Sequence, residues 1–240
     1  MFRRYIHFDR RSDSLLVASL VDDCHAFELA IEHSNTHLLG IKGLWQRHPH
    51  TSCDGAQHAM QQLAGVPLSS NVFQLRNEAN SQLYCTHMFD LVSLAIVHIQ
   101  QKRDNRLYRI DVQDSPYFPQ SIEIWKDKHP ILSAKVDATH FVQPNYLEGA
   151  PTRKGFYQWA REHLNKEQQE LGLIAQMALF VSYSRHFDLN AMKGAPAIDV
   201  GPKLGSCFAL QPERADNSVR LASYRDIKDL ELQVLKWHSG

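Results

Sequence analysis

The sequence predicts an α+β fold: curved antiparallel sheet packed around a buried central helix, with a second long helix and an irregular C-terminal segment. Three observations carry that prediction. Residues 14–47 and 106–141 alternate apolar and polar side chains at the period of half-buried strands. Residues 83–99, "LYCTHMFDLVSLAIVHI", are apolar on nearly every face, the pattern of a helix enclosed by other elements. Residues 155–187 place Leu171, Ile174, Ala175, Ala178 and Leu179 in one stripe at helical spacing.

In chain order, "SLLVASLVD" (14–22) is extended and ends in a turn at Asp22-Asp23. "HAFELAIEH" (25–33) sets Phe27, Leu29 and Ile31 on one face, and "SNT" turns the chain into a third strand, 37–47, whose two glycines suggest a bulge or bend. The three form an antiparallel meander. "AQHAMQQLAGV" (56–66) is a short helix with Met60 and Leu63 inward, followed by a loop over 67–81. In the apolar helix, Thr86 is the expected N-cap and "KRDNR" marks the far end. Residues 106–113, 121–127 and 131–141 form a second strand set, with "KDKH" as a hairpin turn. The long segment after it is one or two helices, and Arg185 and His186 at its end suit a helix C-terminus by charge. "DIKDLELQVLKW" is a terminal strand or helix. No linker and no fixed-period repeat divides the 240 residues, so one domain is expected.

Composition narrows the function. With 26 basic and 26 acidic residues the chain lacks the basic excess of a nucleic-acid or anionic-membrane binder, and its zero net charge is permissive for self-association into homo-oligomers. The apolar run at 83–99 is shorter than the about 20 residues of a membrane span and carries His87, Asp90 and His98. The N-terminal "MFRRYIHFDRRSD" has no apolar leader core, so a cytoplasmic protein with reduced thiols is expected. Cys24, Cys53, Cys85 and Cys207 form no CxxC pair. GxSxG, Walker, GxGxxG, HExxH and kinase motifs are missing, and with them the commonest hydrolase, nucleotide and dinucleotide classes.

The candidate chemistry lies in three knots of polar residues beside apolar segments. In Cys85-Thr86-His87, His87 and Asp90 are i,i+3 neighbours on a helix face, where a carboxylate can orient an imidazole as general base. The bland alternative is a capped helix end with Cys85 as a small core residue. In "DDCHAF", His25 shares the phase of Phe27 and points inward, as a core histidine or a site residue, with Asp23 beside it. In "QRHPHTSCDGA", Arg47 has the planar fork suited to an oxyanion, and Cys53 follows in the loop. A metal site drawn from His25, Cys53, Cys85 and His87 is a third possibility without a matching ligand signature.

Several fragments, "SLVDDCHAFELAIEH", "WQRHPHTSCDGA" with "LAGVPL", "CTHMFDLVSLAIVH" and "GSCFALQPERADNSVRLASYRDI", occur in this order. Together, over residues 14–226, they resemble a bacterial family termed domain of unknown function 2889. Its cysteine–threonine–histidine–leucine signature stands here as Cys85-Thr86-His87-Met88. The segment from Arg47 to Cys53 departs from that family's pattern through His48, His50 and, just beyond it, Asp54. The resemblance implies a soluble bacterial cytoplasmic protein in a catabolic setting and transfers no catalytic residue.

The expected function is that of a cofactor-free lyase, hydratase or isomerase acting on a small hydrophobic, aromatic or terpenoid-like molecule. In it, an apolar pocket lies between the sheet and the 83–99 helix. His87 is the acid/base, Asp90 orients it, Arg47 stabilises an oxyanion, and His25 is a second proton carrier. Cys53, Cys85 and Asp23 line the substrate. The alternatives are a non-catalytic binder of a hydrophobic ligand, a metal-dependent His/Cys enzyme and a purely structural protein.

Overall fold

The computed structural model describes residues 1–115, 117–118 and 120–224; the expected terminal element at 226–237 lies outside them. Eight strands form one antiparallel sheet in the order β4-β3-β2-β1-β5-β6-β7-β8. The first meander comprises β1 (Phe2–Ser12), β2 (Leu15–Val21), β3 (Ala26–His33) and β4 (Leu38–Arg47). The second comprises β5 (Arg106–Val112), β6 (Gln120–Lys126), β7 (His129–Val136) and β8 (Phe141–Gln143). They join where β1 pairs with β5, Phe2 opposite Val112 and Phe8 opposite Arg106.

The N-terminal segment, read only for its lack of a leader core, is therefore a central strand. Its alternation of Phe2, Arg4, Ile6 and Phe8 places four side chains, each no more than 1% exposed, on one face. One of them is a charged arginine. The predicted three-strand meander is present beside it. The bulges of β4 fall at Leu39 and Gln46, outside the two glycines, where the pairing with β3 slips by a residue. Gly43 serves packing instead: a Cβ there would sit 2.9 Å from the Cβ of Gln57 in the short helix Ala56–Ala59. The "KDKH" hairpin turns through Asp127 and Lys128, both at positive φ (48° and 73°), as a two-residue loop requires. The expected strand 131–141 is broken. Asp137 accepts from the backbone N–H of Thr139 and His140 at 2.7 Å each and turns the chain before β8.

The longer helices are α1 (Thr86–Gln100), α2 (Phe156–His163) and α3 (Lys166–Ser182); α1 and α3 lie on the sheet, and α2 packs against α3. The long helical segment is thus two helices, divided at Asn165. Asn165 caps α3: its side-chain oxygen accepts the Gln168 N–H, and the Gln168 side-chain oxygen accepts the Asn165 N–H in return, 3.0 Å each, a capping box. α1 is buried from Met88 through Ile99, as its all-round apolar pattern requires. Its N-cap is Cys85 rather than Thr86, with no side-chain hydrogen bond. α3 is enclosed too, so its buried set widens to Leu173, Met177 and Val181, and Leu171 and Leu179 sit at its flanks. A one-turn helix, Leu75–Glu78, interrupts the expected loop at 67–81. Among the described residues, no helix is long and apolar enough to cross a membrane.

Candidate acid–base site

The β2–β3 hairpin closes through a bond from the Asp22 N–H to the His25 carbonyl, 2.8 Å. The Asp22 carboxylate is fully buried inside this turn. Its Oδ1 accepts from the N–H groups of Cys24 and His25 (2.8 Å each) and from His25 Nδ1 (3.0 Å). Its Oδ2 accepts from Arg4 Nε at 3.0 Å and Nη2 at 2.5 Å. Arg4 arrives from β1, next to β2 in the sheet, because its position shares the parity of the core residues around it.

Beyond Asp22 the chain of contacts runs to His25 and then to His87 in the first turn of α1. The two rings have centroids 4.2 Å apart, tilted by 55°. Trp45 lies 6.4 Å from His25 and Phe180, near the end of α3, lies 6.5 Å from His87. Trp45 is fixed by its Nε1, which donates to the Cys53 carbonyl at 3.0 Å, and by an edge contact with Phe27.

The electrostatics follow from burial and these contacts. Burial alone would raise the Asp22 pKa, yet its interactions with His25 and Arg4 reverse it, and the carboxyl is held well below its ordinary range. Burial pushes His25 down, opposed by Asp22. His87 is pushed well below the usual imidazole value by burial, by His25 and by Arg4. At neutral pH the set is thus Arg4⁺, Asp22⁻ and two neutral imidazoles. With Asp22 ionised, His25 carries its hydrogen on Nδ1 and donates it to the carboxylate, leaving Nε2 as the basic nitrogen. That is a carboxylate–imidazole dyad with a second imidazole ring in contact.

Several predicted roles need correction. Asp90 does not orient His87. It pairs with Arg76, whose guanidinium lies 3.8 Å from the Tyr157 ring centroid, and burial raises the Asp90 pKa. One helical turn brings His87 and Asp90 to the same side of α1, but the nearest cation captures the carboxylate. Arg47 is committed to backbone: it donates to the carbonyls of Asp23 (2.5 Å), Asp22 (2.6 Å), His25 (3.3 Å) and Ser223 (3.3 Å). It clamps the hairpin turn rather than facing a developing oxyanion. Asp23 is buried and bonded by Arg185 at 2.6 Å, and Arg185 also reaches Asp114 at 2.9 Å. The expected charge complement of a helix end is therefore a bridge between three segments.

Cys53 and Cys85 are neighbours of each other and of Cys207. Burial raises both thiols, Cys53 to about 12, and each is further raised by a neighbouring thiol, Cys207 being common to both. Among the described residues, no cluster of three or more His, Cys, Asp or Glu side chains could hold a metal ion, so the proposed four-ligand set is not assembled. Under α1 the side chains of Leu20, Phe27, Met88, Leu91 and Val92 are all 0% exposed. Sequence reasoning brought His25 and His87 forward and missed Arg4 and Asp22 as their support. The available signal was an arginine in phase with Phe2, Ile6 and Phe8, since a buried guanidinium requires a buried carboxylate.

Compared with known proteins, the chain matches no family model, and no curated protein is similar to it.

Proposed function

We propose that the chain is a cofactor-free enzyme of the lyase, hydratase or isomerase type, moving protons on a small hydrophobic molecule through His25 and His87. The observation that carries this reading is the 4.2 Å contact between the two imidazoles, one of them held by a buried, arginine-backed carboxylate. His25 is the general base through Nε2, Asp22 fixes its tautomer, and His87 is the second proton carrier. Arg4 keeps Asp22 ionised. An apolar substrate is supported by the aromatic rim: Phe180 is 41% exposed and Tyr183 and Phe187 follow at 50% and 47%. Substrate would approach half-buried His87 beside Phe180. A place in the cytoplasm and the likeness to domain of unknown function 2889 belong to this proposal.

The test is proton exchange in D2O with a panel of enolisable or hydratable hydrophobic compounds, aryl and terpenoid ketones and alkenoic acids, read by mass spectrometry. His25→Ala and His87→Ala should each lower exchange by roughly 10²-fold or more, while Asp90→Asn retains it. Turnover undiminished in both histidine variants would refute the reading. The same aromatic rim favours, as second reading, a binder without catalysis; a ligand complex with neither imidazole within hydrogen-bond reach of the ligand would support it.

A further inference from the structure

The strand order is symmetric about the β1–β5 pair: each half is a four-stranded meander followed by a long helix lying on the sheet. The two helices run in opposite directions and exchange end contacts. Phe180, near the end of α3, meets His87 at the start of α1, while Arg103, just past α1, pairs with Glu170 at the start of α3. Exchanging the halves carries the acid–base site, at the starts of β1 and α1 and the end of β2, onto the starts of β5 and α3 and the end of β6. At that second place lies a cleft of about 240 Å³.

We propose that this second cleft is a binding site for a small carboxylate with an apolar body. Arg103, Arg106 and Lys126 line it together with Ile131 and Leu171. Arg103 is neutralised by a two-pronged bond to Glu170 at 2.5 and 2.9 Å, and Glu170 also accepts from the Tyr108 hydroxyl at 3.3 Å. Arg106 donates only to that hydroxyl, at 3.2 Å, and neither it nor Lys126 has a carboxylate partner among the described residues. Glu167, the remaining acid of the cleft, is exposed on the α3 wall, opposite the strands that carry the two cations.

The interior behind the cleft holds unpartnered polar groups. His98 is 1% exposed, and neither of its ring nitrogens has a partner among the described residues; the same holds for Arg10 Nη2. Its ring stacks on Phe8 at 4.8 Å, and Phe8 meets the cleft residue Tyr108 edge-on at 6.5 Å. Burial, followed by Arg106, Arg103 and Arg10, pushes His98 down to about 3. A carboxylate in the cleft pairs with Arg106 and Lys126, which have no carboxylate of their own among the described residues, and Ile131 and Leu171 offer its apolar part a surface.

The test is calorimetric titration of the full chain with benzoate at constant ionic strength, with benzamide as the neutral analogue. Saturable benzoate binding is expected, about tenfold weaker for benzamide and about tenfold weaker in Arg106→Gln/Lys126→Gln. Lys126→Gln alone, at a partly exposed position, gives the same direction should the double variant fold poorly. His87→Ala should leave benzoate binding unchanged. Equal affinity for benzamide, no saturable heat, undiminished binding in the cleft variants, or loss of binding only in His87→Ala would each overturn the proposal.

Discussion

Arg4 and Asp22 form an ion pair in which both side chains are fully buried, and the same carboxylate holds His25 at 3.0 Å. Charge is costly to bury, so each partner is tolerated only because the other is present. Removing one strands the other. Asp22→Asn and Arg4→Met should each lower unfolding stability by about 3–5 kcal/mol in urea titrations. The double replacement Arg4→Met/Asp22→Leu should be milder than the sum of the two single losses. Additive losses would mean that the pair is not coupled.

Asp90 is a catalytic candidate by its helical spacing from His87 and Arg47 by its planar fork, and their contacts give different expectations. Arg47→Ala releases four backbone carbonyls and should cost about 2 kcal/mol or more of stability. Asp90→Asn weakens the tie to Arg76 and should lower the melting temperature while proton exchange persists. A loss of exchange at full stability in either variant would return that residue to the reaction.

Acid should destabilise the fold early. His25, His87, His50 (about 4) and His98 (about 3) all have lowered pKa values in the native state. Between those values and the unfolded imidazole pKa near 6.5, the unfolded chain binds more protons. Their contribution is complete above about pH 6.5 and declines as pH falls below it. Asp22, lowered below the ordinary carboxylate value, adds a further loss below about pH 4. Stability measured by urea titration should be flat from pH 7 to 8 and fall from pH 6.5 downward, and His98→Phe should make that fall shallower. A maximum near pH 5 would contradict the buried neutral histidines.

The thiols should be slow. Burial raises Cys24 to about 11 and Cys53 to about 12, and Cys85 and Cys207 are raised as well. At pH 8 the thiolate fraction of each is small, so native protein should react with Ellman's reagent far more slowly than unfolded protein, which should release four equivalents. A rapidly reacting native thiol would contradict this environment.

Much of the framework was legible in the chain because it depends on local periodicity. The β2–β3–β4 meander, the positive-φ turn at Asp127-Lys128 and the enclosed helix at 86–100 follow from alternation, turn residues and an all-round apolar pattern. What local pattern does not encode is which distant polar groups meet. Asp90 stands one helical turn from His87, yet Arg76 takes it. Arg47 resembles an anion binder, yet the β2–β3 turn folds back onto it. Arg4 sits in a basic N-terminal run, a pattern that suits surface charge, although its phase with Phe2 and Ile6 marks it as interior. The contact of His25 with His87 joins segments more than sixty residues apart in sequence, and only the packing of α1 against β2 creates it.

The central claim, that Asp22, His25 and His87 form one proton-handling unit, is tested most directly by nitrogen-15 NMR titration of the histidine side chains. The expected result is two neutral rings at pH 7, with the His25 hydrogen on Nδ1. In His25→Ala, the His87 titration should move upward as the adjacent charge site is removed. A His25 hydrogen on Nε2, or a His87 titration unmoved by His25→Ala, would contradict it.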